Sequence, residues 1–499
     1  MSFMTLAIIA NSQESQPQIL PDGTISYPVQ SVPLSRVVMM SDSSKDWYPA
    51  MKNQTIAPEP GLDVEKEKFL IEKQKANDAK KEIQKLKDEG MLVPDESSKA
   101  SGSVAIPAQG ANYFGPTTSG TPNDNGIAVS RGCKVVAVVN TTIQTFSCST
   151  IGTGFKKSLA SFVGVAGNAF IFDPKVAYDP MNDRFVVVFL EGDDVATSKI
   201  HLAFSATTDP FGAWNVYQVS GVVNNKWTDF PQIAIGTQDI FITGNSANDG
   251  SSGVTSGAIW QIRKWDGYSG TALSVKSYAI SEVGFHPIQG GDNLYGPNCY
   301  FIRTSGAPFA PTKSVFIRQI TNTVASGGTL TSATTINADL SYDVPPDADQ
   351  KNGDPLMTNG CATTASYFAN NRIQFSLNTD AGGKPSLYYG TVILSPLGIS
   401  FSSVIGKHVT IDSFDIAYPG LAFCGDDGTG QNKSILGFDF ASTSHFPGNA
   451  CVEIDEDFNI SAPLMLKYGY APITMGGGQN SNRWGDYASA CPRNNNPGE

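Results

Sequence analysis

The sequence predicts an all-β fold, a β-propeller best fitted by seven four-stranded blades, preceded by an extended N-terminal arm and one charged α-helix. The first observation is a repeated word. Trp227–Gly236 joins an aromatic and an acid to Pro231 and the apolar run Ile233, Ala234, Ile235; Asp173-Pro174-Lys175-Val176-Ala177 and Tyr418-Pro419-Gly420-Leu421-Ala422 share its grammar. Proline has no N–H to give to a ladder, so it is expected at the first residue of a strand. The second is spacing. X-Pro steps at Pro122, Pro174, Pro231, Pro287, Pro355, Pro419 and Pro472 lie 52 to 68 residues apart, each unit holding three or four short apolar or alternating runs. Units of that size suit propeller blades better than solenoid coils. The third is composition: 49 glycines, 30 prolines and only 16% charged residues describe many short strands joined by turns. Pro287 and Pro355 are the weaker matches, which keeps six and eight blades open.

In chain order, residues 1–12 come first. An apolar core with small residues at Ala10 and Ser12 reads as the end of a signal peptide cut after Ser12. A basic leading region is missing, so the signal is read as partial, and the protein as secreted or held at the cell surface. Residues 13–61 are polar and rich in Pro and Ser, with a strand pair near Ile25–Val29 and Arg36–Met40: an extended arm that lies on something else. Residues 62–92 are the helix. Asp63 caps it, Gly90 suits its end, and residues 63–89 balance eight Lys against eight Asp or Glu, several at i,i+3 spacing. Its apolar stripe (Leu62, Phe69, Ala76, Ala79, Ile83, Leu86) is too narrow for a good coiled coil, so it should lie against the main domain.

Residues 120–499 form the propeller. Its second unit shows the pattern: Val176–Tyr178, Phe185–Leu190, Ile200–Ser205 and Trp214–Val219, with turns at 179–183 and 208–212. Only 27 residues follow Pro472, too few for four strands. Either the arm donates a strand to close the ring, or the native chain continues past Glu499, because an open blade exposes a strand edge.

Several function classes are excluded by charge and spacing. A net charge of −12 gives no footprint for a phosphate backbone, so nucleic acid is not expected as a partner. No apolar run after the N-terminus is long enough to span a bilayer. The seven cysteines lack CxxC spacing, which argues against zinc. One pair is informative: strands Lys134–Asn140 and Thr141–Phe146 around a tight turn place position i opposite 281 − i. Cys133 then faces Cys148, in register for a cross-strand disulfide, with two reduced thiols the alternative.

Further segments carry a resemblance. Pro122–Val129, Asp173–Asp179 with Arg184–Val187, Ser205 to Trp214, Val344–Ala348, Tyr418-Pro419 with Gly437-Phe438, and above all Asn482-Arg483-Trp484-Gly485-Asp486-Tyr487 resemble a family of bacterial secreted and cell-surface propeller proteins. The resemblance covers about residues 120–499. It implies a propeller and export, a further strand after the Arg-Trp-Gly-Asp-Tyr stretch, and no established chemistry.

Candidate chemistry is sparse. His201, His286, His408 and His445 are scattered and outside any HExxH or Gly-x-Ser-x-Gly context. His201, in an apparent strand, has a structural reading. The ligand-binding candidates are Trp227, Asp229, Arg483, Trp484, Asp486 and Tyr487, which either stack and hydrogen-bond a ligand or pack and pair within the fold. A sialidase would need an arginine cluster, an activated tyrosine and an acid; Arg483, Tyr487 and Asp486 are available, yet the Ser-x-Asp-x-Gly-x-Thr-Trp boxes of that superfamily are absent. No cofactor is required by the sequence. Asp426 and Asp427, in a hairpin loop with oxygen ligands, are the Ca2+ candidates, with a solvated turn as the alternative and Asn248-Asp249-Gly250 a weaker match. The expected function is therefore a non-catalytic, exported propeller that binds protein or glycan, or assembles at a surface. The alternatives are a sialidase-like glycan hydrolase with its site at the channel, and a structural subunit self-assembling through its arm and helix.

Overall fold

Six antiparallel sheets of four strands follow one another along the chain in the computed structural model. It describes residues 16–41, 63–91, 104–110, 115–116, 122, 124–148, 150–165, 169–251, 253–304, 311–395, 401–425, 431–475 and 481–494. The first blade is Gly126–Val129, Lys134–Val139, Thr142–Ser147 and Thr150–Ser158. The second is Ile171–Asp179, Arg184–Glu191, Lys199–Ser205 and Ala213–Ser220; the third Trp227–Ile235, Asp239–Ala247, Val254–Arg263 and Leu273–Ile280. The fourth is His286–Pro287, Cys299–Thr304, Thr312–Thr321 and Thr334–Tyr342. The fifth is Ala365–Ala369, Arg372–Asp380, Pro385–Leu394 and Phe401–Val409, and the sixth Asp415–Phe423, Ser434–Ser442, His445–Ile454 and Leu464–Lys467. In every blade the first strand lines a central channel, since residues 126–129, 175–178, 232–233, 286, 289–291, 364–367 and 420–423 wall a single cavity. That arrangement is a propeller.

Among the described residues the blade count is six rather than seven. Pro122, Pro174, Pro231, Pro287 and Pro419 do mark inner strands, but Pro355 lies in a loop whose neighbour Leu356 bridges Ala348 and Asn482. The fifth inner strand begins ten residues later, at Ala365, without a proline, and Pro472 opens no strand among the described residues. The prolines also sit differently from expectation. Pro174, Pro231 and Pro419 fall inside their strands, at bulges where the register slips, as between Asp229 and Gln232 or Ala417 and Gly420. The residue before each turns left-handed: Asp173 at φ 53°, Phe230 at 53° and Tyr418 at 56°. A bulge leaves one residue out of the ladder, which is where a missing N–H does no harm.

Packing between blades explains the long apolar runs. In Arg184–Glu191, Phe185, Val187 and Phe189 enter the core shared with the first blade, while Val186, Val188 and Leu190 enter the core shared with the third. Alternate side chains leave opposite faces of a strand, so a strand sandwiched between two blades is apolar at every position. Each such side chain contributes about 2 kcal/mol. Buried asparagines stitch the seams: Asn140, Asn245 and Asn378, from second strands, accept the N–H of Asp173, Gly284 and Tyr418 in the next blade, each at 2.8 Å.

The arm and helix both fold back on the ring. Arg36–Met39 adds a fifth strand to the second blade beside Ala213–Val216, and Ile25–Ser26 and Gln30–Val32 pair with the outer strand of the third. The arm thus covers outer edges instead of completing the last blade. The helix runs from Asp63 to Asp88 and crosses the fifth and sixth blades. Phe69 is buried, but the docking is mainly polar. Lys73 donates to Pro345 O (2.8 Å) and Thr358 Oγ1 (2.6 Å) and pairs with Asp347, and Lys80 pairs with Asp415 at 2.7 Å. Residues 1–15 and 42–61 lie outside the described set. Cys133 and Cys148 form the expected cross-strand disulfide, with the 281 − i register intact from Lys134–Ser147 to Val139–Thr142.

Candidate functional site

A turn before the first inner strand and bulges within the second and third bring three buried carboxyls together: Asp124 (φ 39°), Asp173, and Asp229 beside the bulged Phe230. A segment from the end of the chain, residues 481–494, meets them. The Asp486 N–H donates to Asp124 Oδ1 at 2.9 Å, Asn359 Nδ2 donates to Asp486 Oδ1 at 2.9 Å, and the Tyr487 hydroxyl donates to Pro174 O at 3.3 Å. Arg483 pairs with Asp486 three residues on. Asn140 Nδ2 holds the other oxygen of Asp124 at 2.8 Å. Oxygens of Asp124, Asp173 and Asp486 lie within 4.8 Å of one another.

Such crowding moves the proton affinities. Burial, reinforced by the neighbouring carboxylates, holds Asp124 and Asp173 well above the usual carboxylate range. Burial lifts Asp229 to about 7, against the lowering effect of the Phe230 N–H that donates to it at 2.8 Å. Burial pulls Lys175 down to about 7, although Asp173, Asp124 and Asp486 all favour its charge. Its ammonium lies over the Tyr487 ring and 5.7 Å from the centroid of Phe230. Four acids and two cations therefore share one volume, in which Arg483 is paired with Asp486 and the crowded carboxyls of Asp124 and Asp173 hold their protons more tightly.

Beyond Lys175 the channel opens into a cavity of about 160 Å³, walled by all six inner strands and by residues 488–494. His286 lines it, its Nδ1 3.1 Å from Ser366 Oγ, and burial aided by Lys175 depresses its pKa to about 3, leaving a neutral imidazole. Gln232 lines it too, with a buried amide nitrogen that has no hydrogen-bond partner among the described residues.

Of the residues singled out from sequence, Asp229, Arg483, Asp486 and Tyr487 come together here. Trp227 does not: it packs between the second and third blades, its Nε1 donating to Asn248 O at 3.3 Å. Trp484 is turned away as well, against the Tyr418 ring (5.7 Å, edge-on) and Ala417 of the sixth blade. Arg483 and Tyr487 are only 4% and 3% exposed. Asp426 and Asp427 lie outside the described residues. His201 is structural, its Nε2 2.6 Å from Glu191 and its ring stacked on Phe189. Sequence reasoning missed Asp124, Asp173, Lys175, Gln232 and His286. The signal was present in the repeat itself: Lys175 and Gln232 both follow the bulge proline, the position that faces the channel.

No family model matches the sequence, and neither does any curated protein. Among solved structures, similarity extends to Penicillium chrysogenum α-L-arabinanase complexed with arabinobiose, at 10% identity and TM-score 0.37, covering 74% of this chain and 99% of that one. A subtype N11 neuraminidase-like protein of the A/flat-faced bat/Peru isolate shows 11% identity and TM-score 0.36, covering 71% of this chain and 94% of that one. The parainfluenza virus 5 hemagglutinin-neuraminidase ectodomain shows 8% identity and TM-score 0.36, covering 68% and 81%. Likeness this loose says nothing about chemistry.

Proposed function

We propose that this chain is an exported, non-catalytic propeller that serves as a binding module for protein or glycan at a cell surface. The observation that supports it is the seal on the acidic cluster. Arg483 and Tyr487, which a sialidase-like mechanism would present to substrate, are buried, and Arg483 is committed to Asp486. A group whose partners and volume are already taken by the protein has no room for a scissile bond, and hydrogen-bond reach to the reacting atom is the first requirement of an acid or base. The disulfide supports export. The arm and helix, having bonded to their own ring, support a module that acts singly more than a subunit that holds its neighbours through them.

Hydrolysis of glycans is the second reading, favoured by Asp229 and Lys175 both standing near neutrality. Incubation with chromogenic sialosides, arabinosides and galactosides separates the two. No turnover is expected. Turnover that disappears in Asp229→Asn or Asp486→Asn would establish the hydrolase and end the binding-only proposal.

A further inference from the structure

The helix does more than lie on the ring. With the fifth and sixth blades it encloses a cleft of about 370 Å³, more than twice the volume of the channel cavity and within the roughly 300–1,000 Å³ of ligand pockets. Gly383, in the turn between the second and third strands of the fifth blade, lets the two walls meet. It is left-handed (φ 77°), and a Cβ there would stand 2.3 Å from Ile83 Cδ1, so only glycine allows the helix this close. Lys80 and Lys87 line the cleft from the helix, and Lys384, Asp412 and Phe414 line it from the ring.

Part of this polar lining is already committed. Lys80 is held by Asp349 at 3.0 Å and Asp415 at 2.7 Å. Lys384, its proton affinity lowered by burial, donates to the carbonyls of Ile411 and Asp412, the second at 2.8 Å. What stays open is exposed and of both kinds: Lys87 and Asp412, of opposite sign, and the hydroxyls of Ser413 and Thr443. None of these four side chains makes a hydrogen bond among the described residues. An anion would meet Asp412, and a cation Lys87 and Lys384. A neutral ring bearing hydroxyls accepts from the lysine and donates to the carboxylate, so it satisfies both. Aromatic surface continues from the wall. Phe414 meets the His445 ring edge-on at 5.1 Å, and His445 lies 5.8 Å from Tyr468. Tyr468 is 48% exposed and Tyr470, two residues on, 82%, which leaves flat apolar faces for the C–H faces of sugar rings.

We infer that the cleft between the helix and the fifth and sixth blades binds a neutral oligosaccharide, held in the cleft by Lys87, Asp412 and Thr443 and stacked beyond it on Tyr468. This rests on the binding-module reading and names its place and its ligand class. It also gives the helix a function: its exposed charges form one wall of the site, while Lys73 and Lys80 fix that wall to the ring.

The test uses the full chain in saturation-transfer NMR and calorimetry with cellohexaose, xylohexaose and arabinohexaose, and with hexagalacturonate as the charged arm. At least one neutral hexasaccharide is expected to bind. Lys87→Met and Asp412→Asn should each weaken it by roughly tenfold, the value of one hydrogen bond to the ligand, and Tyr468→Ala by a similar factor. Lys87 and Asp412 are exposed, and thermal melts confirm that the variants fold. The inference is overturned if no neutral hexasaccharide binds, or if hexagalacturonate binds more tightly than all of them. Binding that ignores both Lys87→Met and Asp412→Asn would end the cleft as its site and leave the binding module standing. Glycoside turnover would end the non-catalytic reading, and hexasaccharide affinity that still falls in Lys87→Met would uphold the cleft.

Discussion

Asp229 was visible in the sequence as an acid in a marked stretch, but its meaning came from neighbours more than 50 residues away on either side. In isolation its carboxyl titrates near 3.8; in the fold it does so near 7. Between those values the unfolded chain has released the proton and the native chain retains it, so stability falls as pH rises through this window. Lys175 has the opposite effect higher up. Its folded value near 7 lies below its ordinary 10.5, so the unfolded chain binds the extra proton and stability recovers with pH across that range. Asp124 and Asp173, also held well above the usual carboxylate range, add to the fall, so Asp229 and Lys175 pull in opposite directions on either side of neutrality. Thermal melts from about pH 4 to about pH 10 should show the fall from 4 to 7 flattened in Asp229→Asn, with the recovery above 7 retained. An unchanged profile would mean that Asp229 is not the titrating group.

At the level of elements, strand pattern was legible and edge chemistry was not. The second blade's four runs, the hairpin register at Cys133–Cys148 and the helix from Asp63 all follow from periodicity, turn residues and caps. The helix's docking face was marked by its apolar stripe, in which Phe69 is buried and Ala76, Ile83 and Leu86 are half-buried, but not its chemistry, since Lys73 and Lys80 on the same face make the long-range bonds. Lys73 satisfies its charge with Asp347, Thr358 and two carbonyls, and cutting one half of such a buried pair costs about 3 kcal/mol. In Lys73→Met, hydrogen exchange should accelerate across the helix while the blades keep their protection. The disulfide offers a second check at this scale. It closes a loop of 15 residues, so Cys133→Ala with Cys148→Ala should lower stability under oxidising conditions by about 3 kcal/mol, read from denaturant melts.

For the whole molecule, the repeat gave the architecture but overcounted it. An X-Pro step is a sign of a bulge, and bulges are optional: the fifth blade turns into the channel without one, and Pro355 serves a loop. What closes the ring was hidden for a different reason. Residues 481–494 have no periodic pattern, since they run between the sixth and first blades as an irregular wedge. Gly420 meets the wedge so closely that a Cβ there would stand 2.8 Å from the Ala490 nitrogen. The Ile127 N–H reaches Ser489 Oγ at 3.4 Å on the other side. Gly420→Ala should displace the wedge and destabilise the protein by about 2 kcal/mol, with a lower melting temperature and faster proteolysis after residue 480. If the variant melts like the parent, the wedge does not hold the seam.

That wedge also sets an order of events in time. The first blade leaves the ribosome hundreds of residues before the segment that locks it to the sixth. Until then Asp124 and Asp173 lack Arg483, and the apolar flanks of the end blades have no cover. Five seams can form in sequence as the chain emerges, each stitched to the last, but the circle becomes one cooperative body only in a final, concerted step. A cell that makes this protein has to shelter an open crescent for most of its synthesis.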